Sequence, residues 1–533
     1  MLLTLLTTLL AGFSAEVHNP QIPVIVDRDF NVISEIVIPS ETAAAVRGTV
    51  TVELSGIPAK AVRRIDLVYT GTLSPIHSRT TSNIFKSHFN LWSGGWTDWC
   101  DPDHAIVRST AGLRGEDGRA TVSLPLDGLL VKGDNHFYVS MRVASGQVDP
   151  ASTFTAKVSA IEVDGAPVVL TESGPCSGRR FATALRTHGD DGSDSYRIPG
   201  LARTPEGTLL AVYDIRWDSS WDLNADIDVG VSRSTDGGKT WEKMRVAMDM
   251  GEYGGLPEAQ NGVGDPCILV DDNTGDVYIA AIWAHGLGGR ASIFSSSSGM
   301  EPVDVAQMVL AKSSDDGKTW SAPVNITPQV KDPSWATCFQ GPGAGITMAD
   351  GTLVIPFQWW DADKIPSGGV IYSRDHGATW HFDGTAVDHV CEDQVVELEP
   401  GTLMLNMRNY GNKDRFRKVY VTKDLGKTWT EHPSNNTLQE PVCQASLLKA
   451  PGYRGKDVLL FCNPDSQNAR DRMTVKASTD LGRTWPHALL LDEEAGWGYS
   501  SMAMIDSETV GILYEGSTAQ LVFQAVRLSA LLQ

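Results

Sequence analysis

Ser234-Thr235-Asp236-Gly237-Gly238-Lys239-Thr240-Trp241 is the stretch that decides the fold, because it comes back four times. The further copies are Ser313-Ser314-Asp315-Asp316-Gly317-Lys318-Thr319-Trp320, Ser373-Arg374-Asp375-His376-Gly377-Ala378-Thr379-Trp380, Thr422-Lys423-Asp424-Leu425-Gly426-Lys427-Thr428-Trp429 and Ser478-Thr479-Asp480-Leu481-Gly482-Arg483-Thr484-Trp485. The shared pattern is Ser/Thr-x-Asp-x-Gly-x-Thr-Trp, and copies stand roughly 50–80 residues apart, a period that belongs to propellers and arrays. Asp and Ser/Thr side chains bond the backbone of a tight turn, Gly takes a positive φ, and Trp packs beneath the hairpin. The turn explains every position, so these aspartates are read as turn formers and not as catalytic acids. A short strand precedes each copy, at 227–232, 308–312, 369–371, 418–421 and 473–477. Five marked units and one unmarked closing unit make six. Residues 176–533 allow roughly 55–60 residues for each, enough for four strands. The expectation is an all-β chain with a six-bladed β-propeller over 176–533, its last strand, 520–528, closing the ring against the first blade.

Upstream of the repeats, residues 16–175 carry no helical periodicity. Segments 23–26, 33–38, 48–54, 64–69, 120–124 and 136–143 are rich in Val, Ile and Tyr and bounded by Gly, Pro, Asp and Asn. A β-sandwich is the natural reading, joined to the propeller at Gly174-Pro175-Cys176-Ser177-Gly178. Residues 2–11 are apolar and lead into Gly12-Phe13-Ser14-Ala15, which reads as a signal peptide over 1–15. The run is too short to span a bilayer. A secreted, periplasmic or cell-surface protein is expected.

Composition removes several function classes. Of 533 residues 41% are hydrophobic, enough for a packed core. There are 44 Lys and Arg against 65 Asp and Glu, a net charge of −21, and no basic run, so a nucleic-acid binder is excluded. The acidity is read as solubility, and any positive charge that function needs must be local. Seven cysteines and 12 histidines are scattered without ligand spacing, so no metal and no cofactor is expected, and the cysteines are read as buried thiols.

A second set of motifs carries a resemblance. The five turns are similar to the Asp boxes of bacterial sialidases (neuraminidases), and Tyr196-Arg197-Ile198-Pro199 resembles the Arg-Ile-Pro motif that opens their catalytic domain. The likeness continues through Gly341-Pro342-Gly343, Glu392-Asp393-Gln394-Val395-Val396-Glu397-Leu398, Leu405-Asn406-Met407-Arg408, Gly498-Tyr499-Ser500 and Leu513-Tyr514-Glu515, in family order. The N-terminal sandwich resembles the accessory domain that precedes some of these enzymes.

The resemblance implies a retaining exo-α-sialidase acting on sialylated glycans. Sialic acid bears a carboxylate on its anomeric carbon, and Arg offers that group a permanently charged planar fork. The three arginines implied are Arg197, Arg408 and Arg470. The family's place, three residues before Met473, selects Arg470 over Arg472. A carboxylate nucleophile would meet a centre that is already anionic, whereas a neutral phenol escapes that repulsion until its proton leaves. The nucleophile implied is Tyr499 with Glu392 as its base, Glu397 being the competitor nearby. The acid implied is Asp222 in Arg216-Trp217-Asp218-Ser219-Ser220-Trp221-Asp222, with Asp218 as the alternative. Arg216 is placed against the ring O4 and Asp265 in the O4/N-acetyl pocket. Trp283 stands either in that pocket's wall or in the core, and Glu515 braces Arg197. The competing readings are a propeller lectin without catalysis, a transferase of sialic acid, and a binding protein whose sandwich does the work. Trp92, Trp96 and Trp99 form either a sugar platform or part of a core, and 286–299 is a long Gly/Ser-rich loop. The sequence leaves the oligomeric state open, with a monomer expected.

Overall fold

The computed structural model describes residues 13–72, 106–113, 118–223, 225–286, 292–411 and 414–533. Two compact units divide the chain, Met1–Phe181 and Ala182–Gln533. In the first, strands Val169–Ser173, Ser14–His18, Val32–Ser40, Gly133–Val143, Val62–Tyr69 and Ile106–Ala111 lie in that order in one sheet. Thr153–Val163, Gly48–Ser55 and Arg119–Pro125 lie side by side in a second. Ile33, Ile36, Phe137 and Val139 of the first sheet share one core with Val50, Val52, Val122 and Val158 of the second. Two sheets over a common apolar layer are a sandwich. The strand Thr153–Val163 escaped the sequence reading, although its side chains alternate between core and surface along most of its length. Ser14 and Ala15, placed above in the leader, begin the first strand, and Ala15 is in the core. Residues 1–12 and the trio Trp92, Trp96 and Trp99 lie outside the described residues.

The second unit repeats one motif along the chain, an antiparallel sheet of about four strands. The sheets begin at Ser195–Arg203, Val263–Val270, Thr337–Gln340, Val390–Glu399, Ser446–Tyr453 and Ser500–Met504. These first strands and the chain segments flanking them are cross-linked around an axis. The Leu201 amide donates to Ser501 Oγ (2.9 Å), Gly345 to the Ile268 carbonyl (2.9 Å), Gln394 Nε2 to the Pro342 carbonyl (2.7 Å) and Gln444 Nε2 to the Ser500 carbonyl (2.9 Å). Sheets in sequence order around an axis make a β-propeller. Among the described residues no helix is long and apolar enough to cross a membrane.

Ring closure differs from the expectation. Leu521–Arg527 does not pair with the first sheet. It pairs with Thr509–Tyr514 on one side and with Thr183, Ala184 and Arg186 on the other, so a segment preceding the first sheet completes the last one. The first sheet is tied to it by side chains instead, as where the Tyr196 amide donates to Gln520 Oε1 (3.0 Å).

The five repeated turns join the third and fourth strands of their sheets and are built alike. In the second copy, Ser313 Oγ donates to Asp315 Oδ1 (2.8 Å) and accepts from the Gly317 amide (3.0 Å). Asp315 also accepts from the Thr319 amide (2.9 Å) and hydroxyl (2.6 Å). These bonds hold the Asp315 carboxyl down at about 2 even though burial pushes it up. The glycine of each copy has a φ between 75° and 97°. At Gly238 a β-carbon would also overlap the Phe523 ring, whereas Gly452, at a φ of 68°, has open space around it. Gly452→Ala should therefore cost about 1 kcal/mol of backbone strain, and Gly238→Ala roughly 3 kcal/mol or more, read from denaturant melts. Equal losses would mean that Phe523 yields without cost.

Candidate functional site

Three first strands carry a slip in register where they meet the axis. The slips lie between Arg197 and Gly200, between Gly264 and Cys267, and between Cys391 and Gln394. Each contains a non-glycine residue in the left-handed region: Ile198 (φ 58°), Asp265 (φ 55°) and Glu392 (φ 47°). A bulge of this kind re-aims side chains and marks functional sites. Here the bulges bear Arg197, Asp265 and Glu392. Gly498 (φ 88°) turns the chain in the same way just before Tyr499.

Glu515 fixes the first pair. Its Oε1 accepts from Arg197 Nε (2.7 Å) and the Ile198 amide (2.9 Å), and its Oε2 accepts from the Tyr499 amide (3.0 Å). Both Arg197 and Glu515 are buried. The Arg197 guanidinium lies 4.1 Å over the Trp497 ring and 5.4 Å from that of Tyr499.

Tyr499 is the centre of the group. Its hydroxyl donates to Glu392 Oε1. Arg408 Nη1 donates to Glu392 Oε2 (2.6 Å) and to the Tyr499 oxygen (3.1 Å). Arg408 Nε is buried and has no hydrogen-bond partner among the described residues. Arg470 lies 5.6 Å over the Tyr499 ring, held by the Trp497 carbonyl at 2.9 Å. Arg472 is exposed and in left-handed backbone. Burial and then the Glu392 charge push the Tyr499 phenol well above its ordinary value, against the pull of Arg408 and Arg470. The phenol is therefore neutral at rest and hydrogen-bonded to a base.

On the other side, Arg216 is fully buried in the strand Leu209–Arg216. Its Nη2 donates to Asp214 Oδ2 (2.8 Å), and its Nη1 to Asp222 Oδ1 (2.9 Å). Arg197 Nη1 is 4.0 Å from the same Asp222 oxygen. Crowding by neighbouring protein atoms partly desolvates the otherwise solvent-exposed Asp222 carboxyl and pushes it up, but Arg216 and then Arg197 outweigh this and hold it below the ordinary range. Asp265 is pushed far up by burial, and further by Asp214 and Asp222. Its amide donates to Asp214 Oδ1 (2.8 Å). Asp214 went unread in the sequence. The signal was present, since an acid two residues before Arg216 in an apolar strand shares its face and needs a partner.

Other candidates stand apart. Asp218 is exposed, on the same loop. Glu397 accepts from the Ala349 and Gly401 amides, both at 2.8 Å, and so stabilises turns. Trp283 is buried in the core beside Val212 and Val229, with its ring against Tyr253 and His285, which makes it a packing residue. Of 286–299, residues 287–291 lie outside the described residues, and Gly299 is fixed to the Pro333 carbonyl (2.8 Å). Of the described cysteines, Cys267, Cys338, Cys391, Cys443 and Cys462 are buried thiols and Cys176 is half-buried. Asp226, Asp228 and Glu258 hold oxygens within 4.8 Å of one another, an acidic group that the chemistry of the arginine cluster does not call on.

Comparison with known proteins gives this geometry a context. Residues 13–167 match the N-terminal domain of BNR-repeat neuraminidase, and residues 198–515 match the BNR repeat-like domain. A sialidase of Bacteroides fragilis is 44% identical over 97% of this chain and 95% of its own length. A sialidase of Micromonospora viridifaciens is 32% identical over 69% of this chain and 56% of its own. Among solved structures, Hadza microbial sialidase Hz136 superposes with a TM-score of 0.89 at 44% identity, over 97% of this chain and 100% of that one. With both of its units and nearly its whole length matched, the chain belongs to the sialidase family of glycoside hydrolases.

Proposed function

We propose that the chain is an exo-α-sialidase that hydrolyses terminal sialic acid from glycoproteins, glycolipids and oligosaccharides with retention of configuration. The observation that carries this reading is the contact of Tyr499 with Glu392 and of both with Arg408. A lectin has no use for a buried phenol bonded to a base. Six blades, the sixth closed by Thr183–Arg186, form the catalytic domain, and the sandwich is an accessory to it. The apolar run of residues 2–11 supports action outside the cytoplasm.

In this mechanism Arg197, Arg408 and Arg470 receive the substrate carboxylate and hold the anomeric carbon over Tyr499. Asp222 gives a proton to the glycosidic oxygen as the bond to the leaving sugar breaks. The Tyr499 oxygen attacks the anomeric carbon while its proton passes to Glu392. Water, deprotonated by Asp222, then breaks the sialyl-tyrosine bond, and the phenolate regains its proton from Glu392. Two inversions give retention, the sialidase variant of the two-carboxylate scheme.

The first test concerns Tyr499. Tyr499→Phe keeps the ring contacts and removes the attacking oxygen. Turnover of a fluorogenic sialoside should fall about a thousandfold or more with an unchanged melting temperature. A variant of near-normal activity would dismiss Tyr499 as the nucleophile. For Asp222→Ala, an aryl sialoside with a good leaving group should retain far more of its first step than a sialyl-galactose does. If kcat/KM dropped equally on both, the proton would have to come from elsewhere.

The pH profile carries a third expectation. Asp222 must hold a proton to act as acid, yet Arg216 and Arg197 lower its affinity in the free protein. A bound sialate carboxylate offsets the arginine charge and raises that affinity. The alkaline loss of kcat, which reports the complex, should therefore lie at higher pH than that of kcat/KM, which reports the free enzyme. Coincident limbs in stopped assays across pH would contradict this coupling.

A further inference from the structure

We propose that Trp221 is the platform on which the sugar next to the sialic acid stacks. The inference rests on the reading of Asp222 as the acid. That acid must come within hydrogen-bond reach, about 3 Å, of the oxygen joining the two sugars. The leaving sugar therefore begins at Asp222, and the next side chain along the backbone, one Cα step of about 3.8 Å away, is Trp221.

Trp221 is 78% exposed, more than any other large apolar side chain among the described residues and the only tryptophan in that class. The other tryptophan of the loop behaves differently: Trp217 Nε1 donates to Asp228 Oδ2 at 2.8 Å. Isolated exposed apolar side chains are common. This one is distinguished by how its neighbours are held. Arg216 Nη1 donates both to the Ser220 carbonyl (3.0 Å) and to Asp222 Oδ1 (2.9 Å), so one buried nitrogen grips the residues on either side of Trp221. Leu223 is sunk in a core cluster with Ile227, Ile282 and Trp360. The backbone that carries the indole is thus held, so only the side chain itself is left to order when a ligand arrives. The Asp222 side chain is itself 73% exposed, which puts the acid at the mouth of the site and the leaving sugar outside it. A pyranose has an apolar face of C–H groups, and a rigid indole offers such a face a broad contact at low entropic cost.

The experiment uses the full chain, with Trp221→Ala and Trp221→Phe measured on sialyl-lactose and on methyl sialoside, whose one-carbon leaving group cannot reach the indole. Inhibition by 2,3-unsaturated sialic acid reads the sialic acid pocket alone. Trp221→Ala should lower kcat/KM for sialyl-lactose about tenfold, mainly through KM. It should leave methyl sialoside hydrolysis and the inhibition constant within twofold, and Trp221→Phe should restore most of the loss. An equal fall on both substrates would overturn the proposal by placing the effect on Asp222 or on folding, as would no fall on either. A wild-type protein that cleaves neither sialoside would defeat the sialidase reading itself, and that outcome is visible before any substitution is made.

Discussion

The carboxylate of Glu515 lies buried between the first and last sheets of the propeller and accepts from Arg197 and from the amides of Ile198 and Tyr499. A buried carboxylate is tolerable only when its oxygens are met by charge and by donors, and here both are. The bonds reach across the seam where a ring of sheets must close. They therefore fix ring closure and site geometry together. Arg197 cannot rotate away without leaving Glu515 uncompensated. Tyr499, just before the strand Ser500–Met504, cannot shift without losing the amide bond that sets its height. Two segments far apart in the chain thus have Arg197 and Tyr499 positioned by one group.

Around that anchor the site is assembled from strained backbone. Ile198, Asp265 and Glu392 occupy left-handed φ values, and strain of this kind costs of order 1–3 kcal/mol at each place. A regular strand would alternate its side chains between the two faces of its sheet. The bulges turn selected side chains toward the axis instead. The Asp-box turns lie elsewhere, joining the third and fourth strands of the five sheets that carry them, and their own left-handed residues, such as Asp316 (φ 64°) and Leu425 (φ 57°), sit inside a hydrogen-bonded turn. In those five sheets the recurrent bonded turns and the irregular axis-facing segments are kept apart, with the hairpins supporting the site from a distance.

This separation explains what could be read from the chain. The turns were legible because their physics is contained in eight consecutive residues. Tyr499, Glu392 and Arg408 stood out through short motifs, and the structure brings them into contact. Pairing over long distances was not legible: nothing local in Thr183–Arg186 points to a partner at Leu521–Phe523. The bulges were hidden for the opposite reason. A β-branched Ile198 argues against a positive φ, so local propensity and the site's demand conflict there, as they do at functional positions. Trp283 was ambiguous because an aromatic in an apolar strand looks the same whether it lines a pocket or fills a core.

How an acidic protein receives an anion follows from counting charges at the site. Arg197, Arg216, Arg408 and Arg470 face Glu392, Glu515, Asp214 and Asp222, four positive groups against four negative, while burial keeps Asp265 toward its neutral form. The cluster is close to neutral, so long-range attraction is not its method, and a net charge of −21 over the whole chain need not oppose it. What it offers is direction. Arg408 Nε is held buried without a partner among the described residues, and the Arg197 and Arg470 guanidiniums lie 5.4 Å and 5.6 Å from the Tyr499 ring. A carboxylate entering there gains preorganised donors in a site shielded from salt. Its arrival makes the cluster net negative, which raises the proton affinity of the remaining carboxylates. Asp222 is the most exposed of them and can take a proton from solvent. In the proposed mechanism substrate binding and the protonation of Asp222 are a single event, and the paired arginines that depress Asp222 in the free protein are what make it responsive.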